Sequence, residues 1–360
     1  MRNKGFTLIE LLAVIVILAI IALIATPIIL GIIKDSKEES NKRSIEMYAD
    51  ALKNSIASYQ LKGKELTSVK LDTTDGKNFS NAGDFKVDYE GNVVCKIIEV
   101  YADGNIYLKD CKVNGETVEY TYGKKASFAD DSWRTIAKNV KLGYMYEVGE
   151  KKKVTLTGDE SISGTYTLRV ANNSNPEECK NEDFSQTACG FVVEFEDIIT
   201  RYKMNTEDTN KGGFPRTLMY KYLQNDIYNS LPQDLQSVII NTTVVSSRGG
   251  ADKGLPTNFI SEDKLYLFSP KEIWGSNPEG NDVSINQTRQ LDYYKDVANV
   301  TSSSYDGAIK KYNGVNEWWW LRSAHYYYVY RFYVVHDLGL CSYGYYSTIT
   351  LGVSPAFRIG

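Results

Sequence analysis

Histidine is nearly missing from this chain, with two among 360 residues against 27 tyrosines. Neither His325 nor His336 lies near Cys95, Cys111, Cys179 or Cys189, and the five cysteines include no Cys-x-x-Cys pair, so the spacing of a zinc site is absent. No Ser/His/Asp set stands in a recognisable context, no glycine-rich phosphate loop follows a strand pattern, and no solenoid-length repeat recurs. The expectation is therefore a non-enzyme with no catalytic residue, cofactor site or metal site. Basic clusters are lacking too, and a net charge of -4 argues against nucleic acid as a partner. One long apolar run occurs and no second, and Leu255-Pro256-Thr257-Asn258 lacks the glycine of a sortase signal. Any membrane anchor is expected at the N terminus.

What is present begins there. Lys4-Gly5-Phe6-Thr7-Leu8-Ile9-Glu10 leads into an apolar stretch that ends near Ile33. From Phe6 to Ile33 a helix at ~1.5 Å per residue measures roughly 40 Å, more than a ~30 Å hydrocarbon core. A secretory signal would be shorter and would be cleaved behind its apolar segment. A plain signal anchor explains the length, and Arg2 and Lys4 fit a cytoplasmic flank. It explains neither the Gly-Phe junction nor Glu10, because a carboxylate within lipid is costly and calls for a partner. These residues closely resemble the type IV prepilin signal. The resemblance implies a leader over 1–5, cleavage after Gly5 by a prepilin peptidase, and methylation of the new amino group on Phe6. It further implies that Glu10 pairs with the terminus of a neighbouring pilin subunit during assembly. Pro27 also matches, since pilin helices often carry proline at this depth. The implied localisation is the inner or cytoplasmic membrane before assembly, and an extracellular pilus or cell surface afterwards.

Past Ile33 the chain becomes charged while Ile45, Tyr48, Leu52, Ile56 and Tyr59 keep helical spacing, and Gly63 offers a stop. One helix over 6–62 is expected, with its membrane part at 6–33. A small β-rich head should follow over 63–125. There Asp103-Gly104 separates two β-prone runs, a hairpin that brings Cys95 near Cys111. Cys179 and Cys189 bracket a second loop. Two disulfides suit an extracellular location; four reduced buried thiols are the alternative.

A second domain is expected over 126–360. Strands are predicted at Lys153–Leu156, Thr165–Ala171, Gly190–Phe195 and Lys264–Phe268. A helical zone is predicted from Thr217 to Tyr228, and a short helix from Gln233 to Ile239. The fold class is α+β. Glu317-Trp318-Trp319-Trp320-Leu321-Arg322-Ser323 and Gly352-Val353-Ser354-Pro355-Ala356-Phe357-Arg358-Ile359 resemble the ends of a C-type-lectin-like domain, a class distantly related to formylglycine-generating enzymes. Ser354 departs from the arginine common in the related bacterial domains. The resemblance implies that the tryptophan-rich and terminal strands are core, and that the segment between them faces a ligand. Formylglycine-type chemistry uses a pair of copper-binding cysteines, and this segment offers only Cys341. The Glu-Pro-Asn, Gln-Pro-Asp and Trp-Asn-Asp triplets of calcium-dependent sugar binding are absent, with Asn277-Pro278-Glu279 only a loose echo. A protein ligand is favoured, with a glycan second.

That middle segment holds the candidate ligand-binding residues His325, Tyr326, Tyr327, Tyr328, Tyr330, Arg331, Tyr333, His336, Asp337, Tyr343, Tyr345 and Tyr346. Tyrosine supplies rigid amphipathic contact area, which is why paratopes use it. Read as one strand, alternate residues would share a face. His325, Tyr327, Val329, Arg331, Tyr333 and Val335 would form the mixed, ligand-facing side. Tyr326, Tyr328, Tyr330, Phe332 and Val334 could then be core. The set of residue types between Ser323 and Gly352 also resembles the adenine-rewritten segment in targets of diversity-generating retroelements. The leading expectation is a pilin-like subunit displaying a recognition domain. The alternatives are a structural pilin whose head only coats the fibre, and a formylglycine-type enzyme. A bulky head would crowd a helical array, which favours a minor or tip position.

Overall fold

The computed structural model describes residues 7–276 and 282–360, apart from the side chain of Tyr343. The chain divides into two compact units, Met1–Lys125 and Ala126–Gly360.

The first unit is organised by one helix, α1 (Leu8–Leu61). Thr7 caps it: Glu10 N–H donates to Thr7 Oγ1 at 3.3 Å, and Thr7 N–H donates back to Glu10 Oε2 at 2.9 Å. This reciprocal box satisfies donors that the first helical turn would otherwise leave open. Between Leu8 and Ser40 no residue is buried, although the segment is almost wholly aliphatic as far as Ile33. The helix runs through Pro27 and ends where Gly63 adopts φ 75°, a conformation that favours glycine. Its far half buries Ile45, Tyr48, Ala49, Leu52 and Ile56, one stripe at helical spacing.

That stripe packs on strands β1 (Val93–Val100) and β2 (Ile106–Val113), with β3 (Glu116–Val118) beyond them, and with Leu71, Phe79 and Phe85 from the preceding loop. The β1–β2 turn is the predicted one: Gly104 sits at φ 87°, and Tyr101 N–H donates to Asn105 O at 2.9 Å. Cys95 and Cys111 are register partners and form a disulfide.

The second unit opens with a helix that the sequence reading did not anticipate, α2 (Trp133–Lys141), capped by Ser132 and burying Trp133, Ile136 and Ala137. Its strands follow as β4 (Lys151–Leu156), β5 (Gly164–Asn172), β6 (Val192–Phe195), β7 (Thr200–Lys203), β8 (Ile239–Ile240), β9 (Thr242–Ser246) and β10 (Phe259–Asp263). Then come β11 (Lys310–Tyr312), β12 (Val315–Glu317), β13 (Trp319–Ala324), β14 (Arg331–Val335), β15 (Cys341–Tyr346), β16 (Thr350–Val353) and β17 (Ala356–Ile359). Two five-stranded sheets result, in the orders β4-β5-β6-β17-β8 and β15-β14-β13-β16-β7, and two-stranded ribbons β9-β10 and β11-β12 flank them. The terminal strand thus lies inside a sheet, antiparallel to both β6 and β8. All six residues of β13 are buried. The whole is α+β.

Two sets of buried charges inside this unit are matched. Arg322 and Glu272, both fully buried, pair through two hydrogen bonds of 2.6 Å, and Arg322 also donates to Val245 O and Leu267 O. Glu194 receives Arg169 at 2.7 Å, Lys310 at 2.8 Å and the Tyr294 hydroxyl at 2.8 Å. Removing one member of such a set would strand the others without solvent. Cys179 and Cys189 form the second disulfide.

Two predicted elements are corrected. No strand forms over Lys264–Phe268: β10 ends at Asp263, and Tyr266 makes a single bridge to Ala356. Leu265, Tyr266, Leu267 and Phe268 are all buried, so the apolar run reflects envelopment rather than sheet pairing. The predicted helical zone is present as one continuous run from Leu218 to Ser230, with a wider π-turn over Leu223–Ile227 inside it. The short helix closes at Gln236, because Ile239 already belongs to β8.

Candidate functional site

At the N terminus the cleavage residues Gly5 and Phe6 lie outside the described residues. Glu10 is described, and it is exposed on an apolar helix with only Thr7 as partner among the described residues. Asn277-Pro278-Glu279 also lies outside the described residues.

The tyrosine-rich segment is not one strand. Residues 325–330 form a turn-rich loop, and β14 begins only at Arg331. The expected alternation of faces is therefore overturned. Phe332, Tyr333, Val334 and Val335 are all fully buried, because core covers both faces of this strand. Tyr333 is thus removed from the ligand-facing set, and so is His325, which stacks on Tyr333 at 5.4 Å and is 1% exposed. Tyr328, assigned to the core face, is 41% exposed, and Tyr327 is 61% exposed. Tyr326 and Tyr330 are half-buried, while Tyr345 and Tyr346 are exposed on β15. Tyr343 contributes backbone to β15.

The loop is held by its main chain. Asn210, fully buried, donates from Nδ2 to the carbonyls of Tyr328 at 2.8 Å, His325 at 3.0 Å and Arg331 at 3.2 Å. Its own N–H donates to Val329 O at 2.7 Å, and Gly250 N–H donates to His325 O at 2.9 Å. A Cβ at Gly250 would stand 3.0 Å from Tyr326 O and 3.1 Å from Val329 N, so glycine permits this approach. From inside, His325 Nδ1 accepts the N–H groups of Tyr327 at 3.0 Å and Tyr328 at 3.2 Å. Burial pushes the His325 imidazole down to about 4, with Arg331 and Lys253 acting in the same direction. A neutral ring is what an accepting Nδ1 requires.

With the backbone so engaged, the side chains turn outward into one aromatic surface. The Arg331 guanidinium lies over Tyr328 at 4.5 Å, Tyr346 at 5.2 Å and Tyr330 at 5.6 Å, while Tyr330 and Tyr346 stack at 5.0 Å. Lys253 reaches over Tyr327 at 4.8 Å and Tyr326 at 5.1 Å. Farther along, Trp318 packs on His336 at 3.9 Å and on Tyr345 at 5.6 Å, and Asp337 sits against His336. Lys253, Asn210, Gly250 and Trp318 were missing from the sequence-derived set. The first three come from loops far away in the chain, and no local pattern announces them. Among the described residues no group of three or more His, Cys, Asp or Glu could hold a metal ion.

Comparison with known proteins bears on the two ends separately. Residues 1–26 match the prokaryotic N-terminal methylation motif, and residues 191–360 match a domain of unknown function, DUF6273. No curated protein and no solved structure matches. The motif and the long apolar helix behind it make the chain type IV pilin-like. More particularly, it is a pilin-like fibre subunit, membrane-anchored as a precursor and then assembled into an extracellular pilus.

Proposed function

We propose that this subunit displays its second unit for recognition or adhesion at the cell surface, through a lectin-like domain that binds a ligand at the tyrosine surface. One observation carries the reading: exposed rings are concentrated on a loop and an edge strand whose backbone is fixed by residues outside the segment. Ordinary soluble surfaces do not gather large apolar groups in this way without a use. The resemblance of both flanking motifs to a lectin-like domain supports the same reading, as does the resemblance of the residue types between Ser323 and Gly352 to an adenine-rewritten segment. The role is one of binding rather than catalysis. Cys341, the cysteine outside the two disulfides, is buried beneath the sheet and not poised at the surface.

The test is binding of the purified full chain, in detergent, to arrayed peptides and glycans. Ligands retained by the parent protein and lost with Tyr327→Ser plus Tyr328→Ser, at unchanged thermal midpoint, would establish the surface. Retention of every ligand by the variant would leave the head as a coat. Sequencing the locus across one population tests diversification. Substitutions confined to 323–352 are expected, and an invariant segment would make this a fixed adhesin.

A further inference from the structure

We propose that the tyrosine surface takes an acidic segment of a partner protein, with Arg331 and Lys253 receiving its carboxylates. This rests on the reading of that surface as a binding site, and it starts from how the cations are left. The most buried cations of the unit are paired, Arg169 and Lys310 with Glu194, Arg322 with Glu272, and Arg289 with Asp292. Arg331 and Lys253 instead contact rings, and among the described residues neither has an ion-pair partner. The Arg331 Nε is buried and makes no hydrogen bond among the described residues. Nearby carboxylates are committed elsewhere: Asp252 accepts Gly212 N–H at 2.6 Å, Asp208 accepts the Thr348 hydroxyl at 2.7 Å, and Asp337 sits against His336.

A guanidinium packed on aromatic faces keeps its in-plane N–H donors available, and those donors fit a carboxylate in a two-point arrangement. The rings also hold the cation partly out of water, so less hydration must be removed when an anion arrives. His325 reports the resulting field from beneath, since both cations disfavour its protonation. A polypeptide suits the rest of the surface better than a sugar. Val329 at the loop tip is 45% exposed and Ile349 beyond β15 is 40% exposed, and aliphatic groups of this kind offer a glycan no hydrogen bonds.

The experiment is selection of a random displayed-peptide library on the full chain in detergent, repeated on two variants. One is Arg331→Gln with Lys253→Gln; the other is Tyr327→Ser with Tyr328→Ser. Thermal midpoints confirm that each is folded. The expected result is a set of peptides enriched in Asp and Glu beside an apolar residue. Their affinity should fall about tenfold or more in the charge variant and weaken as salt rises from about 0.05 to 0.5 M, as screened charge pairs do. Peptides that depend on the tyrosines but lack acidic enrichment, or ignore the charge variant, would overturn the acidic ligand and leave the binding surface standing. Peptides indifferent to the tyrosine variant, or neither peptide nor glycan retained, would remove the surface reading itself. Retention of uronate or sialylated glycans on a parallel array, with no peptide selected, would replace the protein partner by a carbohydrate.

Discussion

Single residues decide whether the tyrosine loop is a surface or a tangle. Asn210 Nδ2 meets three carbonyls at once, and the side-chain Oδ1 accepts Ala251 N–H at 3.2 Å. Asn210→Asp keeps the shape but turns the donor into an acceptor facing those carbonyls. It should cost about 1–3 kcal/mol or more, the range for stranding buried polar groups, and should speed hydrogen exchange at Tyr327 and Tyr328. Tyr327→Ser, by contrast, should change stability by no more than ~0.5 kcal/mol, as surface substitutions do. Equal losses from both would mean that the rings, not the clamp, hold the loop. Asp263 offers a second residue-scale test. Burial pushes its carboxyl up to about 7, so the folded state holds a proton that the unfolded chain releases. A raised pKa contributes stability in full below the unfolded value near 4, and that contribution is lost as pH climbs to about 7. His325, held down at about 4, works oppositely over much of this window, so the wild-type profile alone is a poor guide. The difference between wild type and Asp263→Asn isolates the effect. The variant should gain little at pH 4 and up to a few kcal/mol at pH 8, by thermal or urea denaturation across pH. A constant difference would mean that Asp263 is already ionised in the fold.

At the scale of elements, legibility followed the range of the forces. The stripe from Ile45 to Ile56, the Asp103-Gly104 turn and the cross-strand pairing of Cys95 with Cys111 are local patterns, and the structure contains them. α2 is hard to read because its nine residues carry only about two and a half turns of pattern. The run at Leu265–Phe268 misled because burial from every side produces the same apolar run as a buried strand. The loop 325–330 was legible in composition and illegible in shape, since its conformation is dictated by Asn210 and Gly250 from distant parts of the chain. The locally written hairpin also yields a measurable element. The disulfide closes a segment with a sequence separation of 16. Replacing Cys95 and Cys111 together by alanine should cost about 3 kcal/mol in the loop-entropy account. Denaturation with and without reductant checks this. A variant as stable as the oxidised parent would show that α1 packing alone holds the unit.

At the scale of the whole molecule, the decisive feature is an aliphatic helix with one carboxylate near its start. The aliphatic residues from Leu8 to Ile33 bury nothing within the chain, so their burial must come from lipid or from other subunits. Glu10 is served by Thr7, but two donors from one residue do not neutralise its charge. In an apolar surrounding the remaining cost is relieved by a cation, and cleavage behind Gly5 would create one at Phe6 on each incoming subunit. Intact mass should therefore show a chain beginning at a methylated Phe6. Glu10→Gln keeps the capping geometry and removes the charge, whereas Glu10→Ala removes both. If charge pairing governs assembly, both variants should be processed and both should fail to enter fibres, as read by immunoblot of sheared surface fractions. If the cap alone matters, Glu10→Gln should assemble like the parent, and the carboxylate's role would shrink to shaping the helix start.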